Sequence, residues 1–151
     1  MNRRTLILSG LAALPATLLA RAAFAASPPV YAEGSVAIDG TDTVAYFTEG
    51  GPRAGSPEFA TFWNGATWQF SSAANRDLFE ADPTAYAPQF GGYCAWAAAE
   101  GYVAPTVPEA WTIHDGRLYL NFSRRIQRRW ERDIPGNIAR GNANWPAILT
   151  A

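Results

Sequence analysis

Two dipeptides, Asn64-Gly65 and Asp115-Gly116, constrain this chain most, because each sits between alternating apolar residues. Both accept positive φ at successive positions, which the two-residue turn of a β-hairpin requires if its strands are to keep their right-handed twist. Phe62, Trp63, Trp68 and Phe70 flank the first turn, in "FATFWNGATWQF". Trp111, Ile113, Leu118 and Leu120 flank the second, in "WTIHDGRLYLNF", and alternate with more polar neighbours as half-buried strands do. Between and beyond the hairpins the period changes. In "SSAANRDLFEADPTAYAP", Ser71 or Ser72 caps a helix bearing Leu78 and Phe79. Asp82-Pro83 then restarts a short turn, with the acid at the N-cap and proline at the first helical position. "SRRIQRRWERDI" predicts a further helix, capped by Ser123, in which Ile126, Trp130 and Ile134 recur every four residues. Arg124, Arg125, Arg128, Arg129 and Arg132 take the rest of its surface. Pro135-Gly136 is expected to end it, leaving a last short helix and a tail pinned by Trp145. Hairpins interleaved with short helices predict an α+β fold: one small domain with two β-hairpins and several short helices.

Cys94 is the only cysteine among the 151 residues, so no disulfide within the chain staples the fold. The core must come from apolar burial, which six Trp, six Tyr and eight Phe supply. The first 25 residues read as a signal peptide. Arg3-Arg4 precedes an apolar run, and Ala23-Phe24-Ala25 fits the small-x-small site of signal peptidase, with cleavage after Ala25 or Ala26. The paired arginines resemble a twin-arginine signal, a bacterial export address, so a periplasmic location is expected. The run contains Pro15 and falls short of the roughly 20 apolar residues of a membrane span. Three of the twelve arginines leave with this segment, so nine face thirteen acidic residues, and lysine is absent. That balance excludes the basic excess of a nucleic-acid binder. Residues 26–35, "ASPPVYAEGS", are expected to form an extended leader, since Pro28 and Pro29 resist both helix and ladder. Residues 36–151 are then the folded domain.

"DTVAYF" (Asp42 to Phe47), "NGATWQFSSAANRDLFEADPTAYAPQFGGYCAWA" (Asn64 to Ala97) and "WTIHDGRLYLNF" with the helix after it resemble the exported YHS-domain proteins of bacteria. The resemblance runs from about residue 38 to residue 146. It implies a YHS, treble-clef-like fold and a binding or accessory protein that handles a metal ion, copper first and zinc second. In metal-binding relatives the stretch after the aromatic hairpin reads roughly F-C-S-x-x-C. Here it is Phe70-Ser71-Ser72-Ala73-Ala74-Asn75, with hydroxyl and amide groups where thiolates would stand. Those are poor ligands for a soft or borderline metal.

A metal site must therefore be built from other residues. Cys94 follows Gly91-Gly92-Tyr93, and the glycines imply unusual torsions or a close approach of backbone. The thiol is either a metal ligand or reactive group beside a glycine-lined opening, or a buried small hydrophobe. In an oxidising compartment an open thiol is oxidised, so burial or a bound group must protect it. His114, the only histidine, is the candidate partner for Cys94, as second metal ligand or as base to a thiol nucleophile. Its other reading is a solvated residue beside a turn. Carboxylates or a second chain would complete a metal set, and a thiol-dependent enzyme or redox sensor is the minority alternative. Tyr93, Trp96 and Trp68, with Trp63, Phe70 and Tyr102, are candidate lining for a planar or apolar ligand, and equally candidate core. Asp42 is a ligand-binding candidate whose simpler role is capping. The arginine helix is either a solvated face or a docking face for an acidic protein or anionic lipid.

Overall fold

The computed structural model describes residues 25–151, so the expected signal segment lies, except for Ala25, outside the described residues. Strands β1 (Ala32–Glu33), β2 (Val36–Ala37), β3 (Ser56–Trp63) and β4 (Ala66–Phe70) form one sheet in the order β1-β2-β4-β3. β2 and β4 are parallel, while the other pairs are antiparallel. Strands β5 (Trp111–His114) and β6 (Arg117–Leu120) form a second, two-stranded sheet. Both expected hairpins are present. Asn64 and Gly65 have φ of 49° and 82°, and Asp115 and Gly116 have 48° and 72°, the paired positive values of a tight hairpin turn. β4 alternates as a half-buried strand should, with Ala66, Trp68 and Phe70 buried and Thr67 and Gln69 less so.

The helices are α1 (Ala45–Thr48), α2 (Ala73–Ala81), α3 (Pro83–Tyr86), α4 (Ala95–Glu100), α5 (Arg124–Trp130) and α6 (Ile134–Asn144), giving the expected α+β domain. Ser72 Oγ accepts from the Asn75 N–H at 3.1 Å to cap α2, and Ser123 Oγ accepts from the Ile126 N–H at 3.2 Å to cap α5. Phe79 carries α2 onto the first hairpin, its ring centroid 4.8 Å from Trp68, 5.0 Å from Phe70 and 5.7 Å from Trp63. Val30, Ile38, Leu118 and Leu120 complete that core. Trp130 anchors a second core with Phe90, Tyr119, Ala95 and Ala98.

Two expectations are corrected. Pro135-Gly136 does not end the helical region but opens α6, where Asp133 Oδ1 accepts from the Gly136 N–H at 3.1 Å. Proline is well placed there, because the first turn of a helix leaves its N–H groups unbonded anyway. The 26–35 segment is also more than a leader. Val30 is buried, β1 pairs with β2, the Tyr31 N–H donates to Gly91 O at 2.8 Å and the Ser27 N–H to Leu149 O at 2.7 Å. Proline lacks a donor but keeps its carbonyl, and Pro28 O accepts from the Tyr93 hydroxyl at 2.9 Å.

Asp42 joins the first core to its surroundings. Its carboxylate is fully buried. Oδ1 accepts from the Val44 and Ala45 N–H groups at 3.0 and 3.2 Å, turning the chain into α1. Oδ2 accepts from the Ser71 N–H at 2.9 Å, the Ser71 hydroxyl at 2.6 Å and the Asn75 amide at 2.8 Å. A buried carboxylate is costly unless donors replace its water, and these five do so. Asp42→Asn turns an amide NH₂ toward donors on one side or the other. Urea unfolding is expected to show a loss of about 3 kcal/mol or more.

Candidate functional site

Gly91 and Gly92, with φ of 63° and 83°, set the backbone that leads into Cys94. A Cβ on Gly91 would lie 2.0 Å from Pro29 O, and one on Gly92 2.2 Å from Ile38 Cδ1. The expectation of unusual torsions and close approach therefore holds at both glycines. Beyond them the Cys94 N–H donates to Ala104 O at 2.9 Å, and the Thr106 hydroxyl donates to Gly92 O at 2.7 Å. Cys94 is the N-cap of α4, whose small residues Ala95, Ala97, Ala98 and Ala99 are buried. Asn144, at the end of α6, donates to Ala98 O at 2.9 Å and holds the two helices together.

The Cys94 side chain is 1% exposed. Its S–H donates to Asn121 Oδ1 at 3.4 Å, and its Sγ accepts from the Phe122 N–H at 3.3 Å. Burial raises the thiol pKa, opposed in part by the backbone N–H groups of Ala97, Phe122 and Trp96. Asn121 is buried too, and its Oδ1 also accepts from the Trp96 N–H at 3.0 Å. That bond sets the orientation of the amide, since the reverse would bring two donors together. Asn121 Nδ2 has no hydrogen-bond partner among the described residues.

Over the thiol lies a groove of about 230 Å³ lined by Cys94, Trp96, Tyr102, Ala104, Phe122 and Ile126. Tyr102 and Phe122 stand at its rim, 50% and 52% exposed. The Arg129 guanidinium lies 5.4 Å from the centre of the Trp96 ring, within cation–π range.

His114 is elsewhere. It pairs with Arg117 at the tip of the second hairpin, whereas Trp111 pairs with Leu120 at the base, next to the Asn121 and Phe122 that hold Cys94. Three residues of strand separate tip from base, roughly 10 Å. The two side chains also open onto different hollows, His114 onto one with Gln89 and Arg117 and Cys94 onto one with Trp96 and Phe122. His114 Nε2 instead lies 3.4 Å from Asp115 Oδ2, in an open polar hollow with Gln89 and Arg117. Among the described residues no group of three or more His, Cys, Asp or Glu is arranged to hold a metal ion. Ser71 and Asn75, at the expected thiolate positions, both donate to Asp42. The residues present do not fit resident copper or zinc.

The candidate aromatic lining is divided. Trp68 and Phe70 are core, with the Trp68 Nε1–H donating to Trp63 O at 3.0 Å. Tyr93 is buried between Tyr31 and Trp145. Trp63 and Trp68 wall a separate cleft of about 280 Å³ with Trp145 and Leu149. Only Trp96 and Tyr102 reach the groove over Cys94. Asp42 faces the interior, so its place is structural. Asn121, Phe122 and Ile126 were not candidates from sequence. The available signal was Asn121, a polar residue set between the apolar "LYL" of β6 and Phe122. No protein-family model, curated protein or solved structure matches this chain.

Folding keeps the thiol covered and protonated. Alkylation by iodoacetamide at pH 8 is therefore expected to run roughly tenfold or more slower on the native chain than in urea, read by mass spectrometry. Equal rates would show an open thiol. The folded chain binds this proton more tightly than the unfolded chain. Its contribution to stability is thus present below the ordinary thiol range and is lost as pH rises through the raised folded value.

Proposed function

We propose that this chain is an exported bacterial binding protein of YHS type that holds a small apolar molecule in the groove over Cys94. The export and family parts of this reading rest on the sequence: the Arg3-Arg4 segment and the "GGYCAWA" stretch with its neighbours. The groove carries the binding part. Apolar walls of Trp96, Ala104 and Ile126 meet two half-exposed aromatic rings at the rim, an arrangement that leaves apolar surface in water unless something covers it.

The larger cleft near Trp145 lacks that feature, since none of the exposed large apolar side chains lines it. At about 230 Å³ the groove is smaller than the roughly 300 Å³ at which drug-sized sites begin. It takes one end of an apolar molecule, a ring or a short length of alkyl chain, while the rest lies against the aromatic rim. Cys94 supplies a soft apolar floor. Catalysis is not assigned to it, because the imidazole that would act as its base is at the far end of the hairpin.

Titration with N-phenyl-1-naphthylamine, a neutral apolar fluorophore, tests the reading. Phe122→Ser and Tyr102→Ser together should raise its Kd roughly tenfold, about 1.4 kcal/mol. Phe62→Ser, which removes a more exposed ring from β3, should leave the Kd unchanged. Equal loss in both variants, or no loss in either, would sink the assignment of the groove.

A further inference from the structure

The helix beside the groove carries a charge pattern that its own chain does not explain. Arg124 and Arg125 occupy the first turn of α5, where the positive end of the helix dipole disfavours cations. Arg124 with Arg128, and Arg125 with Arg129, are like charges one turn apart, which disfavours the helix again. Among the described residues none of these four, nor Arg132, forms a salt bridge. Glu131, the acid nearest in sequence, accepts instead from the Thr112 hydroxyl and the Gln127 amide, at 2.7 and 3.2 Å.

The arginines also have a definite relation to the groove. Ile126 lines it, and Arg129 is three residues further along the same face. Arg129 lies over Trp96, another lining residue, and Arg125 is one helical turn back from Arg129. The Arg129 guanidinium thus stands beside the Trp96 wall of the apolar slot, with Arg125 one turn away on the same helix and neither in a salt bridge; guanidinium groups bind carboxylate, sulfonate or phosphate through paired donors.

We infer that the groove takes an amphiphilic anion: an alkyl or aryl body beside Cys94, with its anionic head on Arg125 and Arg129. This rests on the groove being the binding site. The ligand is a free, monomeric amphiphile and not a bilayer, because the floor of the groove is the buried Cys94, which a single chain end reaches and the surface of a bilayer does not.

The test is displacement of N-phenyl-1-naphthylamine from the full chain by decanoate, decanol and decylammonium, which share a chain and differ in head group. Decanoate should displace the probe at concentrations roughly tenfold lower than the other two, with the advantage shrinking as salt rises. In Arg125→Gln/Arg129→Gln the advantage should fall below about threefold while the probe still binds. Arg117→Gln/Arg124→Gln removes the same charge away from the groove and should keep the preference. Equal displacement by decanoate and decanol in the unaltered chain would overturn the inference. So would a preference that survives in Arg125→Gln/Arg129→Gln, or binding to phosphatidylglycerol vesicles that monomeric decanoate does not compete away. A probe that does not bind the groove at all is a failure of the binding reading itself, seen before any head group is compared.

Discussion

The carboxylate of Asp42 is the interaction on which the rest of the described structure depends. It accepts from two N–H groups on its own side, at Val44 and Ala45, and from three donors supplied by Ser71 and Asn75. Those last two flank the start of α2, so the same carboxylate orients α1 and places α2 after the first hairpin. Phe79 of α2 can then close over Trp68 and Phe70. With water excluded from the site, every donor meets a carboxylate oxygen in a low-dielectric interior, and the cluster is strong because each group in it is satisfied.

The same cluster engages the two positions, Ser71 and Asn75, that the YHS resemblance associates with thiolates. Ser71 and Asn75 reach Asp42 as neutral donors, and the hydrogen bonds cross-link hairpin to helix as a metal would. A carboxylate engaged by five donors has no lone pair directed outward. Ligand chemistry is therefore sought away from this cluster, on the side that carries Cys94.

On that side the decisive feature is the packing of backbone against backbone. Gly91 lets Pro29 O approach where no side chain fits, and the leader is drawn into the fold between the C-terminal tail and the segment ahead of Cys94. Cys94 is then enclosed by Asn121 and Phe122 from the end of β6. What remains open is the apolar groove over the thiol, bounded by α5 and its unpaired arginines. In that enclosure the lone thiol is protected: the sulfur is buried, hydrogen-bonded to Asn121 and Phe122, and held protonated.

Local chemistry was legible in the sequence by itself. Asn-Gly and Asp-Gly turns, serine caps at Ser72 and Ser123, and the Phe79 and Trp130 anchors each follow from the torsions, donors or periodicity of a few adjacent residues. From these came the α+β class, both hairpins and the expectation of close approach at Gly91-Gly92. The reading failed where sequence neighbours were not the deciding partners. Pro135 looked like a stop because proline ends a helix that precedes it, but it opens the one that follows. Trp68, Tyr93 and Trp96 looked like one aromatic lining, yet strand alternation and the positive-φ glycines send them to three different places. Cys94 and His114 looked like a pair because each is the only residue of its kind. The length of one hairpin separates them. Which side chains meet across 27 residues, as Cys94 and Asn121 do, is decided by long-range pairing and packing, and only the tertiary structure holds that information.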